Sequence, residues 1–192
     1  MSGAGDINDD GKADILIGAK MAVPAAGREA AGIVYVLFGA ASPADLDLAN
    51  LVSGVYFGFR ILGVTMNDYL GYAVSNAGDV NADGVDDIIV GAFAANTAVG
   101  GIDSGAAYVL FGNNATGARS DVDLSTMTTS WATGFTIFGP AAGAFAGVSV
   151  SAAGDVNNDG VDDVIVGAHY ADPNSREDAG EAYVLFGTKK LP

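Results

Sequence analysis

The chain has 192 residues, half of them hydrophobic, with 28 glycines, no cysteine and a formal net charge of −15. That length suits one domain with a substantial core, and the missing cysteine excludes disulfide staples and thiolate metal sites. The eight Lys and Arg residues form no basic stripe, which argues against nucleic acid as a partner. No apolar run approaches the ~18 residues of a membrane span, and residues 1–6 show neither a basic nor an apolar signal-peptide region.

Taken from the start, residues 1–5 run into a nine-residue loop, DINDDGKAD at 6–14, followed by the apolar run DILIGA at 14–19. A variable loop at 20–31 leads to GIVYVLFG at 32–39, and a long link to GFRILG at 58–63. The order then repeats. LGYAVSNAG at 70–78 enters the loop DVNADGVDD at 79–87; DIIVGA, GAAYVLFG and GFTIFG follow at 87–92, 105–112 and 134–139. A third copy runs from AGVSVSAAG at 146–154 through DVNNDGVDD at 155–163 to DVIVGA at 163–168 and GEAYVLFG at 180–187. The loops begin at 6, 79 and 155, a spacing of 73 and then 76 residues. Such self-similarity is the mark of a repeat architecture.

Each loop puts side-chain oxygen at positions 1, 3, 5 and 9 and glycine at position 6. Hard cations such as Ca²⁺ take six to eight oxygens at about 2.3–2.6 Å in irregular geometry, and glycine permits the sharp bend. Position 7 (Lys12, Val85, Val161) has no ligand side chain, so its backbone carbonyl is the expected donor. An EF-hand would place Glu at position 12 between helices, but position 12 here is Ile17, Val90 and Val166, within strand-like runs. The competing reading is three Asx/Gly hairpin turns without metal. Nine of the 23 acidic residues sit at positions 1, 5 and 9, and three bound Ca²⁺ would take the net charge from −15 to −9.

Four short strands per repeat, bounded by glycine and Asx turns, describe a propeller blade. The expected fold is all-β, with four-stranded antiparallel blades and repeats at 1–66, 67–140 and 141–192 in one partial propeller. The first strand of each blade, rich in small residues, is expected innermost, and the third strand is expected to bury Tyr, Leu and Phe between blades. The count expected is ten strand pieces, because residues 1–5 hold only the end of a first strand. Ten strands make no whole number of blades. The chain therefore reads as part of a longer propeller, or as a unit closing by homo-oligomerisation.

Phe-Gly ending one strand, Gly-Ala ending another, and D-x-N-x-D-G-x-x-D between strands resemble the FG-GAP repeats of integrin α-subunit propellers and bacterial extracellular proteins. The resemblance implies three Ca²⁺ sites: Asp6, Asn8, Asp10, Lys12 (carbonyl) and Asp14; Asp79, Asn81, Asp83, Val85 (carbonyl) and Asp87; Asp155, Asn157, Asp159, Val161 (carbonyl) and Asp163. The proline of the family's Gly-Ala-Pro signature is Lys20, Phe93 and His169 here. It also implies an extracellular or cell-surface, non-catalytic binding or adhesion scaffold, with a protein or glycan ligand. The alternative is a propeller-fold carbohydrate-active enzyme, a polysaccharide lyase or hydrolase.

Other features have plainer readings. His169, the only histidine, stands where the sister repeats have Lys20 and Phe93, which argues against catalysis. The pairs Asp45/Asp47 and Asp121/Asp123 recur in both links, which favours a structural turn over a glycosidase pair. Asp86 and Asp162, at loop position 8, are expected to be solvated or to support the metal ligands. Asn114 begins a glycosylation-like triplet, and Trp131 is the only tryptophan. The loops at 20–31, 93–104 and 169–179 vary most, as binding loops on a repeated scaffold do.

Overall fold

A computed structural model describes residues 1–39, 47–48, 51, 58–114, 119–127 and 133–189. Strands dominate: β1 (Ser2–Gly5), β2 (Asp14–Ala19), β3 (Ile33–Leu37), β4 (Gly58–Leu62), β5 (Val74–Gly78), β6 (Asp87–Ala92), β7 (Ala106–Leu110), β8 (Val122–Asp123), β9 (Gly134–Phe138), β10 (Ala146–Gly154), β11 (Asp163–Ala168) and β12 (Glu181–Leu185). They form three sheets, in the orders β1-β2-β3-β4-β8, β5-β6-β7-β9 and β10-β11-β12. All neighbours are antiparallel except β8, which runs parallel to β4. The fold is all-β, three blades of a partial propeller.

The twelve strands among the described residues exceed the expected ten because residues 2–5 pair with β2, and because two residues of the second blade's link add β8 to the first blade. Two ion pairs fasten that link. Arg60 Nη2 lies 2.6 Å from Asp121, and Arg28 Nη1 lies 2.9 Å from Asp123. Asp121 and Asp123 therefore tie the second blade's link to the first blade.

The first strands of successive blades, β1, β5 and β10, lie against one another, so they are the strands that converge. The second blade is buried on both faces, which explains its unbroken apolar runs. Ile88, Val90, Tyr108 and Leu110 pack with Leu16, Val34, Val36, Phe59 and Ile61 of the first blade. Ile89, Ala107, Val109 and Phe111 pack instead with Val164, Val166 and Ala168 of the third. Each fully buried Ile, Leu or Phe contributes about 1.5–3 kcal/mol. On the third blade, Val184 and Phe186 are 45% and 60% exposed, although their sisters Val109 and Phe111 are buried. That face repeats the docking surface of the second blade.

Candidate metal centres

The three loops fold alike because their own side chains replace the hydrogen bonds a tight turn cannot make. A bulge at Gly5, Gly78 and Gly154 breaks the ladder just before each loop. Position 4 (Asp9, Ala82, Asn158) and the glycine at position 6 both take positive φ. The first aspartate then accepts two loop amides. Asp6 takes those of Asp10 and Gly11 at 3.0 and 2.7 Å, and Asp79 and Asp155 repeat the pattern. The fifth-position carboxylates of Asp10, Asp83 and Asp159 accept the position-7 amide at 3.0–3.1 Å.

The ninth position links each loop to its blade. Asp87 accepts the amides of Val80 at 3.0 Å and Gly112 at 2.8 Å. Asp14 does the same for Ile7 and Gly39, and Asp163 for Val156 and Gly187. The Phe-Gly signature thus has a local cause: its glycine donates to the loop's last aspartate. Burial pushes the Asp87 carboxyl up to about 7, with Asp83 and Asp79 adding repulsion against the two amides. Asp14 is raised for the same leading reason. The Lys12 side chain, 3.1 Å from Asp10, holds that carboxyl below its usual value.

Among the described residues, no three Asp, Glu or His side chains converge as a ready-made metal cluster. The loop carboxylates face backbone amides. The donor set still fits Ca²⁺. It is entirely oxygen, and a carboxylate that accepts one or two N–H groups retains free lone pairs. The position-3 side chains carry the clearest sign. Asn8 and Asn81 are 4% and 0% exposed, and the side-chain oxygen of each has no hydrogen-bond partner. A buried amide oxygen left unpaired costs about 1–3 kcal/mol, which a cation would offset. The third loop differs, because Asn157 is exposed and its oxygen accepts the Asp159 amide at 2.9 Å.

The difference between loops arises from the neighbouring blade. Asp86 accepts the Asp6 amide at 2.8 Å, and Asp162 accepts the Asp79 amide at 3.0 Å. Neither is simply solvated: each supports a candidate ligand aspartate, but that of the preceding blade's loop. Each closes the loop of the preceding blade. A Cβ on Gly5 would lie 2.1 Å from Asp86 Oδ2, so glycine there leaves room for the incoming carboxylate. The corresponding residue of the first loop is Ala13. Replacing Asp86 or Asp162 by alanine strands a part-buried amide and should lower stability by about 1–2 kcal/mol, read from urea midpoints. An unchanged midpoint in both variants would remove the latch assignment.

His169 packs at a tilt against Tyr170 and Phe145, in an aromatic row that continues to Phe93. Asp45, Trp131 and most of the triplet at 114–116 lie outside the described residues. One buried acid escaped the sequence reading. Asp68 is 3% exposed; its Oδ2 accepts the Thr65 amide at 2.9 Å and its Oδ1 has no partner. Alignment of the two first strands was the available signal, because Asp68 falls where the third repeat has Ala144, a core residue.

Burial raises the Asp68 carboxyl to about 6, against an ordinary value of 3.8. A folded-state pKa raised above the unfolded one stabilises fully below the unfolded value, and that stabilisation is lost as pH rises through the folded value. The wild type should therefore gain stability relative to Asp68→Asn as pH falls from 7.5 to 5. Parallel unfolding midpoints for the two proteins across that window would refute this assignment.

Comparison with known proteins agrees with this architecture. The FG-GAP repeat family matches residues 2–37 and 146–185. Integrin alpha-PS2 of Drosophila melanogaster is 28% identical over 191 residues, 98% of this chain and 11% of that protein. Integrin alpha-V of Gallus gallus is 34% identical over 95 residues, covering 50% of this chain and 8% of its own length. Phosphatidylinositol-glycan-specific phospholipase D of Bos taurus is 35% identical over 121 residues, or 63% and 14% respectively. The chain thus spans well under a fifth of each relative. No helix among the described residues is long and apolar enough to cross a membrane. The two stretches that match FG-GAP repeats lie in the first and third of three blades of a partial β-propeller.

Proposed function

We propose that this chain is a calcium-binding, non-catalytic repeat module that serves as an extracellular binding or adhesion scaffold for a protein or glycan ligand. The observation that carries the calcium reading is the pair of buried, unpartnered side-chain oxygens of Asn8 and Asn81 inside all-oxygen loops. Calcium would be held at three sites: by Asp6, Asn8, Asp10, the Lys12 carbonyl and Asp14; by Asp79, Asn81, Asp83, the Val85 carbonyl and Asp87; and by Asp155, Asn157, Asp159, the Val161 carbonyl and Asp163. The ion supplies positive charge among clustered carboxylates and cross-links the two ends of each hairpin. The adhesion half of the reading rests on the integrin relatives.

Calorimetric titration of chelator-treated protein with Ca²⁺ tests this reading. Asp79→Ala should abolish a tight site, whereas Asp155→Ala should cost less, because the third loop is solvent-exposed and its amide oxygen is already engaged. Identical isotherms for wild type and Asp79→Ala would sink the site assignment. The phospholipase D relative favours a second reading, a propeller carried within an enzyme. Turnover of a glycan, polyuronide or phospholipid by the intact parent protein would select it. The apolar outer face of the third blade suits either a further blade of the same chain or a second copy. A sedimentation mass of one chain would remove the second copy.

A further inference from the structure

A cavity of about 270 Å³ lies between the first and second blades, with Thr65, Asp68, Tyr108, Ser125, Met127 and Phe138 in its wall. It is built from the loop after β4, the loop after β6, residues of β7 and β9, and a 3-10 turn at Leu124–Thr126. The calcium loops lead into the opposite ends of the second strands, so this site stands independently of the calcium reading. Asp68 is the only carboxylic acid among the described residues of the wall, which include no Lys, Arg or His. Arg28 reaches the wall at Ser125, but its guanidinium is engaged by Asp123 at 2.9–3.0 Å.

A carboxylate oxygen that is buried and unpaired is costly, and native proteins rarely keep one without a partner. The fold itself does not demand it, since Ala144 occupies the same place in the third repeat and packs in the core. The rest of the wall is mixed. Thr65, Ser125 and Thr136 bring hydroxyl-bearing side chains and Met127 and Phe138 apolar ones, while Tyr108 brings a ring whose phenol feels the Asp68 charge. One negative charge with no counter-charge, beside apolar walls wide enough for a methylene stem, is complementary to a cation on an aliphatic chain.

We propose that this cavity binds a primary ammonium group carried on a short alkyl stem, with Asp68 as its counter-charge and Tyr108, Met127 and Phe138 around the stem. A lysine-like side chain and a free alkylamine share that chemistry. The third repeat lacks the acid, with Ala144 in its place.

The probe is n-butylammonium chloride, titrated into the full chain in excess Ca²⁺ and followed by amide NMR. The amides of Thr65, Asn96 and Ser125 should shift and saturate in the millimolar range, and n-butanol, with the same stem and no charge, should leave them still. Asp68→Asn keeps an oxygen for the Thr65 amide and removes the charge, so it should weaken binding roughly tenfold or more. Lowering the pH of the wild type from 7.5 to 5 should weaken binding as the carboxyl takes up its proton, a readout that needs no variant. The proposal is overturned if the cavity amides do not respond, if Asp68→Asn binds as well as wild type, or if n-butanol or glucose shifts the same amides to the same extent. The last result would make the site a reader of hydroxyl groups.

Discussion

Gly91→Ala is expected to destabilise the chain by about 3–5 kcal/mol. A Cβ at Gly91 would lie 2.0 Å from the Gly147 carbonyl oxygen of the next blade. Nothing nearby can yield. The Gly91 amide donates to Ala73 at 2.8 Å and its carbonyl accepts from Gly71 at 2.9 Å, so the backbone is held from one side while the next blade closes the other. Gly18 stands in the same relation to Gly71, with the same 2.0 Å approach, and Gly18→Ala should behave alike. Gly167 is the internal control. Its added Cβ would meet only the Ser149 hydroxyl, the mobile end of a side chain on the same blade. Gly167→Ala should therefore cost about 1 kcal/mol or less. Urea unfolding of the three variants decides the matter. Equal losses at Gly91 and Gly167 would mean that blade docking does not depend on these close backbone approaches.

Those glycines mark the boundary of what the sequence could convey. The loops and the strand order were legible because each depends on residues close together in the chain and occurs three times. The alternation of inward and outward residues was not legible in the second blade, because Ile88 and Ile89 are both buried, against different neighbours. The Gly-Ala signature announced a strand end, but not that its glycine touches the following blade. The same limit applies to Asp86 and Asp162. Read locally, each is a surplus acid beside a ligand; only the stacking of blades brings it to an amide some 80 residues away in the chain. β8 was invisible for a related reason, since two residues in a long link carry no period. Arg28 and Arg60 gave no signal until their partners, Asp123 and Asp121, were placed. Asp68 was legible in principle. Its clue is a departure from the repeat, an acid where the third copy has Ala144.

Removing calcium is expected to lower the unfolding midpoint by about 10–20 °C. A ligand that binds only the folded chain, present at 100 times its dissociation constant, adds about 2.7 kcal/mol per site. Two loops, those with buried amide oxygens, should contribute fully, giving about 5 kcal/mol; for a chain of this size 1 kcal/mol corresponds to about 2–4 °C. The physical source is visible at Asp87. Burial and the neighbouring Asp79 and Asp83 push its carboxyl up to about 7, so the metal-free loop holds charges it would rather neutralise. A divalent cation reverses that preference at once. Lys12, paired with Asp10 at 3.1 Å, gives the first loop a partial substitute, so the second loop should lose most in chelator. Mg²⁺ should restore less than Ca²⁺, because it demands near-octahedral geometry at shorter distances. Differential scanning calorimetry in millimolar Ca²⁺, in Mg²⁺ and in chelator separates the outcomes. Coincident transitions in all three would show the D-x-N-x-D-G-x-x-D loops to be self-sufficient Asx turns, held by their own amides with no metal in the fold.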